Sequence, residues 1–278
     1  MSHLRTELPR PIDVLGLPIR PLDLSSLVDE IVVRARQRIT TLGCYANAHT
    51  VNLACRDTEY RQVLRQCDLL YADGVSLVWA SQFAESPISR RITAMDYLPV
   101  LADRCAREGL SLFLLGSRPG IIDKAARQLQ SSHPDLRIVG WHHGYFDLAD
   151  SEQVIDRINA VNPDILLVGM SSPRQEFWLR ESGDKLQAPV RWCVGALFDY
   201  LGGDERRAPA WMRRLGCEWL FRLAVDPVGK WRRYLLGNPR FIWNALRWRL
   251  ARSGSTAASP MSTESVSGAH PCIPWEPP

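Results

Sequence analysis

The spacing of hydrophobic positions along this chain changes period repeatedly, and the changes alternate. Apolar residues at helical spacing over 24–38 (Leu27, Ile31, Val32, Ala35) follow Asp23 as an N-cap, and 41–47 then reads as a strand. The stretch 49–67 (Val51, Leu53, Ala54, Tyr60, Val63, Leu64) reads as a helix, and 68–72 as a short buried strand that ends at Asp73-Gly74. The alternation continues with helices over 97–108, 121–130, 151–159 and 176–183. Strands fall at 110–115, 138–140, 165–169 and 192–194. Ahead of them, 13–21 alternates around Gly16 as a hairpin-like strand pair. This order predicts an α/β fold, a Rossmann-like and largely parallel sheet with helices on both faces. Ligands of such sheets bind at the carboxyl ends of the strands.

Beyond Ala208-Pro209 the character changes. Segments 211–225, 230–236 and 239–252 read as helices, separated by Asp226-Pro227 and Gly237-Asn238. After Ser253 the chain is rich in Ser, Pro, Gly and Thr, a composition that predicts disorder. The expected organisation is a flexible leader over 1–11, an α/β domain over 12–205, a basic helical appendage over 206–252 and a disordered tail over 253–278.

Charge sharpens that division. The net charge is +4, but 206–252 holds twelve Lys/Arg against two acids, Glu218 and Asp226. The remainder holds 22 basic (34 − 12) against 28 acidic (30 − 2) residues. This asymmetry predicts an anionic partner for the appendage. Its last segment, Arg240 to Arg252, interleaves tryptophans with arginines, as interfacial helices do. A helix docked on its own domain with one solvated face would fit the same residues. The coincidence of aromatics with one-sided charge favours a membrane surface. No nucleic-acid-binding module accompanies the charge, so no nucleic-acid partner is expected.

Other features narrow the setting. Seven cysteines, an odd number without any CxxC pair, point to a reducing compartment and support neither a zinc site nor a dithiol motif. The N-terminus lacks the apolar core of a signal peptide, and no apolar run reaches the roughly 20 residues of a spanning helix. The expectation is a cytoplasmic protein whose membrane contact is peripheral.

Several segments could carry chemistry. Gly116-Ser-Arg-Pro-Gly120 joins a strand to a helix and could offer backbone N–H groups to phosphate, or be an ordinary βα turn. GxGxxG and GxxxxGK[ST] are both absent, which argues against dinucleotide and P-loop readings. Asp73 ends a buried strand, where a carboxylate reads either as a general base or as the N-cap of the next helix. Gln175, in Ser171-Ser-Pro-Arg-Gln-Glu176, offers a donor and an acceptor to sugar hydroxyls or a uracil edge, or belongs to a capped helix start. His49, His142 and His143 show no metal spacing, and no Asp-x-Asp pair exists to hold a nucleotide through a divalent cation. No cofactor and no metal site are expected.

These pieces, in this order, resemble the WecG/TagA/CpsF family of bacterial glycosyltransferases, glycosyltransferase family 26. The resemblance runs from about Asp13 to about Arg233. It is carried by Tyr71-Ala-Asp-Gly-Val75, Arg91-Ile-Thr-Ala-Met-Asp96, Leu112-Phe-Leu-Leu-Gly116, Gly144-Tyr-Phe146, Ser172-Pro-Arg-Gln-Glu176, Val194 to Asp199, Arg207-Ala-Pro209 and Glu218-Trp-Leu-Phe-Arg222. The collinear order of many separate motifs makes it specific.

The resemblance implies an inverting, metal-independent transfer of a hexose (glucose, N-acetylmannosamine or its uronic acid) from a UDP-sugar. The acceptor would be an undecaprenyl-diphosphate-linked sugar in bacterial cell-surface polysaccharide synthesis. Family position puts the general base at Asp73. It puts substrate-binding residues at Asn47, Arg91, Gln175, Gly116, Arg207, Arg222 and Arg232, with the appendage closing over the site. Homo-oligomerisation stays open. The chain departs from some members at Tyr45-Ala-Asn47, where they carry threonine before the asparagine, and at Val228-Gly229, within their basic cluster. The rival reading is a non-catalytic nucleotide- or polyanion-binding α/β protein.

Overall fold

A computed structural model of the chain describes residues 8–82, 87–147 and 150–255, with no side-chain detail for 253–255. The expected leader and tail therefore fall largely outside the described residues. A hairpin, β1 (Ile12–Val14) and β2 (Leu17–Ile19), is followed by α1 (Leu24–Arg36), which Asp23 caps by accepting from the Ser26 N–H. The strands β3 (Thr41–Ala46), β4 (Leu69–Ala72), β5 (Ser111–Gly116), β6 (Arg137–His142), β7 (Ile165–Gly169) and β8 (Val190–Cys193) form one sheet in the order β4-β3-β8-β7-β5-β6. All its pairings are parallel, as the alternation predicted. β4, β5 and β7 are buried along their whole length, which is why they read as continuous apolar runs rather than alternating ones.

The helices depart from the expected pattern where short-range chemistry overrides periodicity. The single helix expected over 49–67 is two, α2 (Ala48–Arg56) and α3 (Thr58–Gln66). Asp57 between them is extended, and its carboxylate accepts from the Tyr60 N–H, so it ends one helix by capping the next. A helix to which the sequence reading assigns no range, α4 (Val75–Ser81), follows Gly74 directly. The others are α5 (Ala94–Glu108), α6 (Ile121–Ser132), α7 (Ser151–Val161), α8 (Arg174–Ser182) and α9 (Leu197–Leu201).

The appendage is also divided differently. Gly216, in left-handed conformation at φ +73°, splits the expected 211–225 helix into α10 (Ala210–Arg214) and α11 (Glu218–Val225). The break expected at Gly237-Asn238 does not form. α12 (Pro227–Trp231) runs through a π turn, Arg232–Leu236, into α13 (Gly237–Ser255), three residues past the expected end. Gly237 keeps ordinary helical angles, and its carbonyl accepts from Asn52 Nδ2 at 2.7 Å. The wider π turn lies just ahead of Pro239 and relieves the clash a proline makes with the preceding turn. α13 packs along α2, and its Phe241 and Trp248 are buried in the same core as the sheet. The Trp248 indole donates to Asp13 at 3.1 Å, tying α13 to the first hairpin.

Candidate active site

The carboxyl ends of β3, β4 and β8 open into a cavity of about 580 Å³, whose far wall is made by α11, the π turn and α13. Asp73 sits on its floor, one residue beyond β4, fixed by its own N–H donating to the Ala46 carbonyl at 2.8 Å. The N-cap of α4 is Gly74, without any side-chain cap bond, so Asp73 is not spent on capping that helix. Asn47 lies beside it at the end of β3 and does two things at once. Its Oδ1 accepts from the N–H groups of His49 and Thr50, capping α2, and its amide also hydrogen-bonds Asp73.

Asp73 does not keep the ordinary aspartate pKa near 4. Burial raises it to about 6, with Glu218 adding to the rise, while Arg222, Arg91 and the Asn47 hydrogen bond pull it back. The result is a carboxylate that is ionised at neutral pH yet markedly more basic than a solvated one, as suits a general base.

The cations around it come from both parts of the chain. Arg91 lines the cavity, but its guanidinium is engaged: Nη1 donates to Glu218 at 3.2 Å and Nη2 to the Arg213 carbonyl at 3.1 Å. Glu218 also accepts from Arg222 at 2.9 Å, and Arg222 lies over the Tyr200 ring. Burial opposes ionisation of Glu218, but the two arginines outweigh it and hold its carboxyl below the usual range. Arg207 lines the cavity paired with Asp96, which Thr93 also bonds.

Three sequence-predicted residues, Arg232, Gly116 and Gln175, do not line the cavity. Arg232 does not line the cavity; its guanidinium rests on the Trp231 ring, and the neighbouring Arg233 lines the cavity instead. Gly116 is also outside it. A Cβ there would overlap the Gly169 carbonyl, so close approach of β5 to β7 accounts for that glycine. The turn that follows already uses the Gly120 N–H to bind Asp123, and Ser117 donates to Asp199.

Gln175 is behind the wall rather than on it. It is fully buried, and both ends of its amide are engaged. Oε1 accepts from the Gly195 N–H at 3.1 Å, and Nε2 donates to the Tyr45 hydroxyl at 3.3 Å and to Glu176 at 2.9 Å. Gly195 turns at φ +59°, and a side chain on it would strike the Tyr45 hydroxyl. Glu176, equally buried, also accepts from Ser172 at 2.7 Å, and burial raises its carboxyl to about 7. Tyr45, Ser172 and Gly195 line the cavity, so this network sets its surface from beneath.

His49 was not singled out by spacing. It lines the cavity at the start of α2, hydrogen-bonded to the Ser172 backbone; burial and then Arg233 lower its pKa to about 4, which leaves the imidazole neutral at pH 7. Among the described residues no group of three or more His, Cys, Asp or Glu is placed to hold a metal ion.

The site thus places a half-buried carboxylate among arginines at the strand ends, under a helical arm. Residues 12–255 match the Glycosyl transferase WecG/TagA/CpsF family. The chain belongs to that family. As a glycosyltransferase of this group it is 31% identical over 221 residues to the N-acetylglucosaminyldiphosphoundecaprenol N-acetyl-beta-D-mannosaminyltransferase of Staphylococcus aureus strain NCTC 8325 / PS 47, covering 77% of this chain and 85% of the relative. The proteins of the same name in S. aureus strains COL and MRSA252 match with the same identity and extent. The match to 255 takes the family through α13, beyond the region where the sequence motifs could be followed.

Proposed function

We propose that this glycosyltransferase moves a hexose from a UDP-sugar to a hydroxyl of an undecaprenyl-diphosphate-linked sugar at the inner face of the cell membrane. The observation that carries the reading is Asp73: half-buried at the strand ends, held by Asn47, raised to about 6 and faced by cations from the appendage. Its carboxylate takes the proton of the acceptor hydroxyl as that oxygen attacks the anomeric carbon. The new C–O bond forms while the bond to UDP breaks, and UDP leaves with the electron pair. A single displacement of this kind inverts the anomeric centre. Arg222, Arg233 and Arg207 supply positive charge where the leaving diphosphate gains negative charge, a role that positioned cations can fill without a divalent metal. The S. aureus relatives are named as transferring N-acetylmannosamine, which makes that sugar the first donor to try, with glucose and N-acetylmannosaminuronic acid beside it.

The test is release of free UDP from each of these three UDP-sugars, with EDTA present and with and without a lipid-diphosphate-N-acetylglucosamine acceptor. Acceptor-dependent release from one donor is expected. Asp73→Asn should lower it by about 10²–10⁴-fold while UDP still binds. Full activity in that variant would remove Asp73 as the base. UDP binding with no turnover of any donor would favour a non-catalytic nucleotide-binding protein.

A further inference from the structure

Of the apolar side chains that line the cavity, Trp79, Ile242 and Leu246 face solvent most, at 64%, 55% and 47% exposed. They come from two elements far apart in sequence. Trp79 is on α4, which starts two residues after Asp73, and Ile242 and Leu246 lie one turn apart on α13. Ala80, Phe241 and Ala245, from the same two helices, also line the cavity and are buried or half-buried, so the apolar surface continues inward from this rim. The cavity lining thus combines Asp73, His49, Arg222 and Arg233 with these exposed apolar side chains.

This rim is distinct from other exposed apolar residues of the appendage. Trp211, Leu215 and Val228 are exposed there too, but none of them lines the cavity. Scattered exposed apolar residues need no explanation, whereas a set contiguous with a binding cavity marks an interaction site. Under the reading above, the donor is polar throughout. The acceptor alone carries a long hydrocarbon, attached directly to a diphosphate. An apolar rim joined to a cation-lined cavity matches that sequence of groups.

We propose that the first isoprene units of the acceptor lipid pass between α4 and α13, over Trp79, Ile242 and Leu246, with the diphosphate held toward Arg222 and Arg233. This inference rests on the proposed function. It adds that the core helix after the catalytic aspartate, together with α13, selects acceptors by their tail.

The experiment uses the full-length protein and three acceptors with the same diphosphate-sugar head and a methyl, farnesyl or undecaprenyl tail, the last in detergent. Trp79→Ala and the double variant Ile242→Ser/Leu246→Ser are compared with the parent. The farnesyl-to-methyl ratio of kcat/KM should fall about tenfold or more in each, through KM for the farnesyl acceptor, because removing apolar contact weakens binding of the tail. The conservative pair Trp79→Phe and Ile242→Leu should recover most of the ratio, which separates tail contact from loss of fold. An unchanged ratio in all variants, or equal losses for both tails, would overturn the passage while leaving the transferase reading intact. A parent protein that transfers to none of the three acceptors would overturn that reading, and the passage with it.

Discussion

Arg91 and Glu218 are 127 positions apart and meet at 3.2 Å, which joins the α/β core to the appendage within electrostatic reach of Asp73. Arg91 also holds the Arg213 carbonyl, and Glu218 also holds Arg222, so one carboxylate orders two cations. The core arginine is therefore a clasp for the arm as well as a charge that acts on Asp73. Glu218→Gln should free both guanidiniums from their shared anion. Leaving partly buried charges without a partner costs on the order of 1–3 kcal/mol, so a stability loss of that size is expected with a larger proportional loss of kcat/KM. Thermal melts and limited proteolysis within 211–225 would check it. A variant whose arm is as protected and as active as the parent's would show that the clasp is dispensable.

The acid limb of the rate profile should report Asp73. The base works only when ionised, so kcat/KM should rise about tenfold per pH unit up to the pKa near 6 and level off above it. Arg222 is the largest of the influences that lower this pKa. Arg222→Gln should therefore move the limb to higher pH, besides lowering the plateau. A limb that stays in place while the plateau falls would mean that Arg222 serves the leaving group alone.

How much of this was legible in the sequence depends on the range of the interaction. The strands were readable because β5 and β7 are buried on both faces, and such runs carry their own signal. Asp73 could be placed at a strand end but not told from an N-cap; that needed the observation that Gly74 begins α4 unaided. α4 itself, seven residues long, offers too little periodicity to be seen. The Arg91–Glu218 clasp, the burial of Gln175 and the presence of Arg233 rather than Arg232 in the cavity depend on long-range packing that no local pattern encodes. Gly237-Asn238 misled in the other direction, since a glycine supported from outside by Asn52 remains helical.

Gln175 should behave as a positioning residue. Gln175→Leu keeps the bulk but leaves the Gly195 N–H without its acceptor and Tyr45 without its donor. A cost of about 1–3 kcal/mol in stability is expected, together with a fall in kcat that outweighs any rise in KM for donor. Melts and steady-state kinetics would decide. A loss confined to KM would mean that the amide turns outward and touches substrate.

Glu176 gives the fold a pH dependence of its own. Its folded-state pKa, about 7, lies above the ordinary glutamate value of 4.5, so folding favours the protonated form. The stability it contributes is complete below about pH 4.5 and is lost as pH rises through about 7, a change of roughly 3 kcal/mol at most. Glu176→Gln cannot ionise. Its Tm should fall less than the parent's between about pH 5 and pH 8, and its hydrogen bond from Ser172 should survive through the amide oxygen. Parallel Tm profiles would show that the carboxyl stays ionised in the folded protein.

The outer face of the appendage should carry membrane binding. Among the described residues no helix is long and apolar enough to cross a bilayer. Yet Trp211, Leu215 and Val228 stand exposed on a segment with twelve basic and two acidic residues over 206–252. Half-burying three such side chains in an interface is worth about 1 kcal/mol each, and each basic residue near an anionic surface about as much. The full-length protein should therefore co-sediment with vesicles containing phosphatidylglycerol, and less so as salt rises, because screening weakens the electrostatic part alone. Trp211→Ser/Leu215→Ser/Val228→Ser should weaken partition by roughly 100-fold, the equivalent of about 3 kcal/mol, with Tm unchanged since none of the three is buried. Partition equal to the parent's would move the contact off these three residues, to the other exposed apolar residues of the appendage such as Leu236, Trp243 and Leu250. Partition that ignores salt would mean that the appendage's arginines serve the substrate diphosphates rather than the lipid surface.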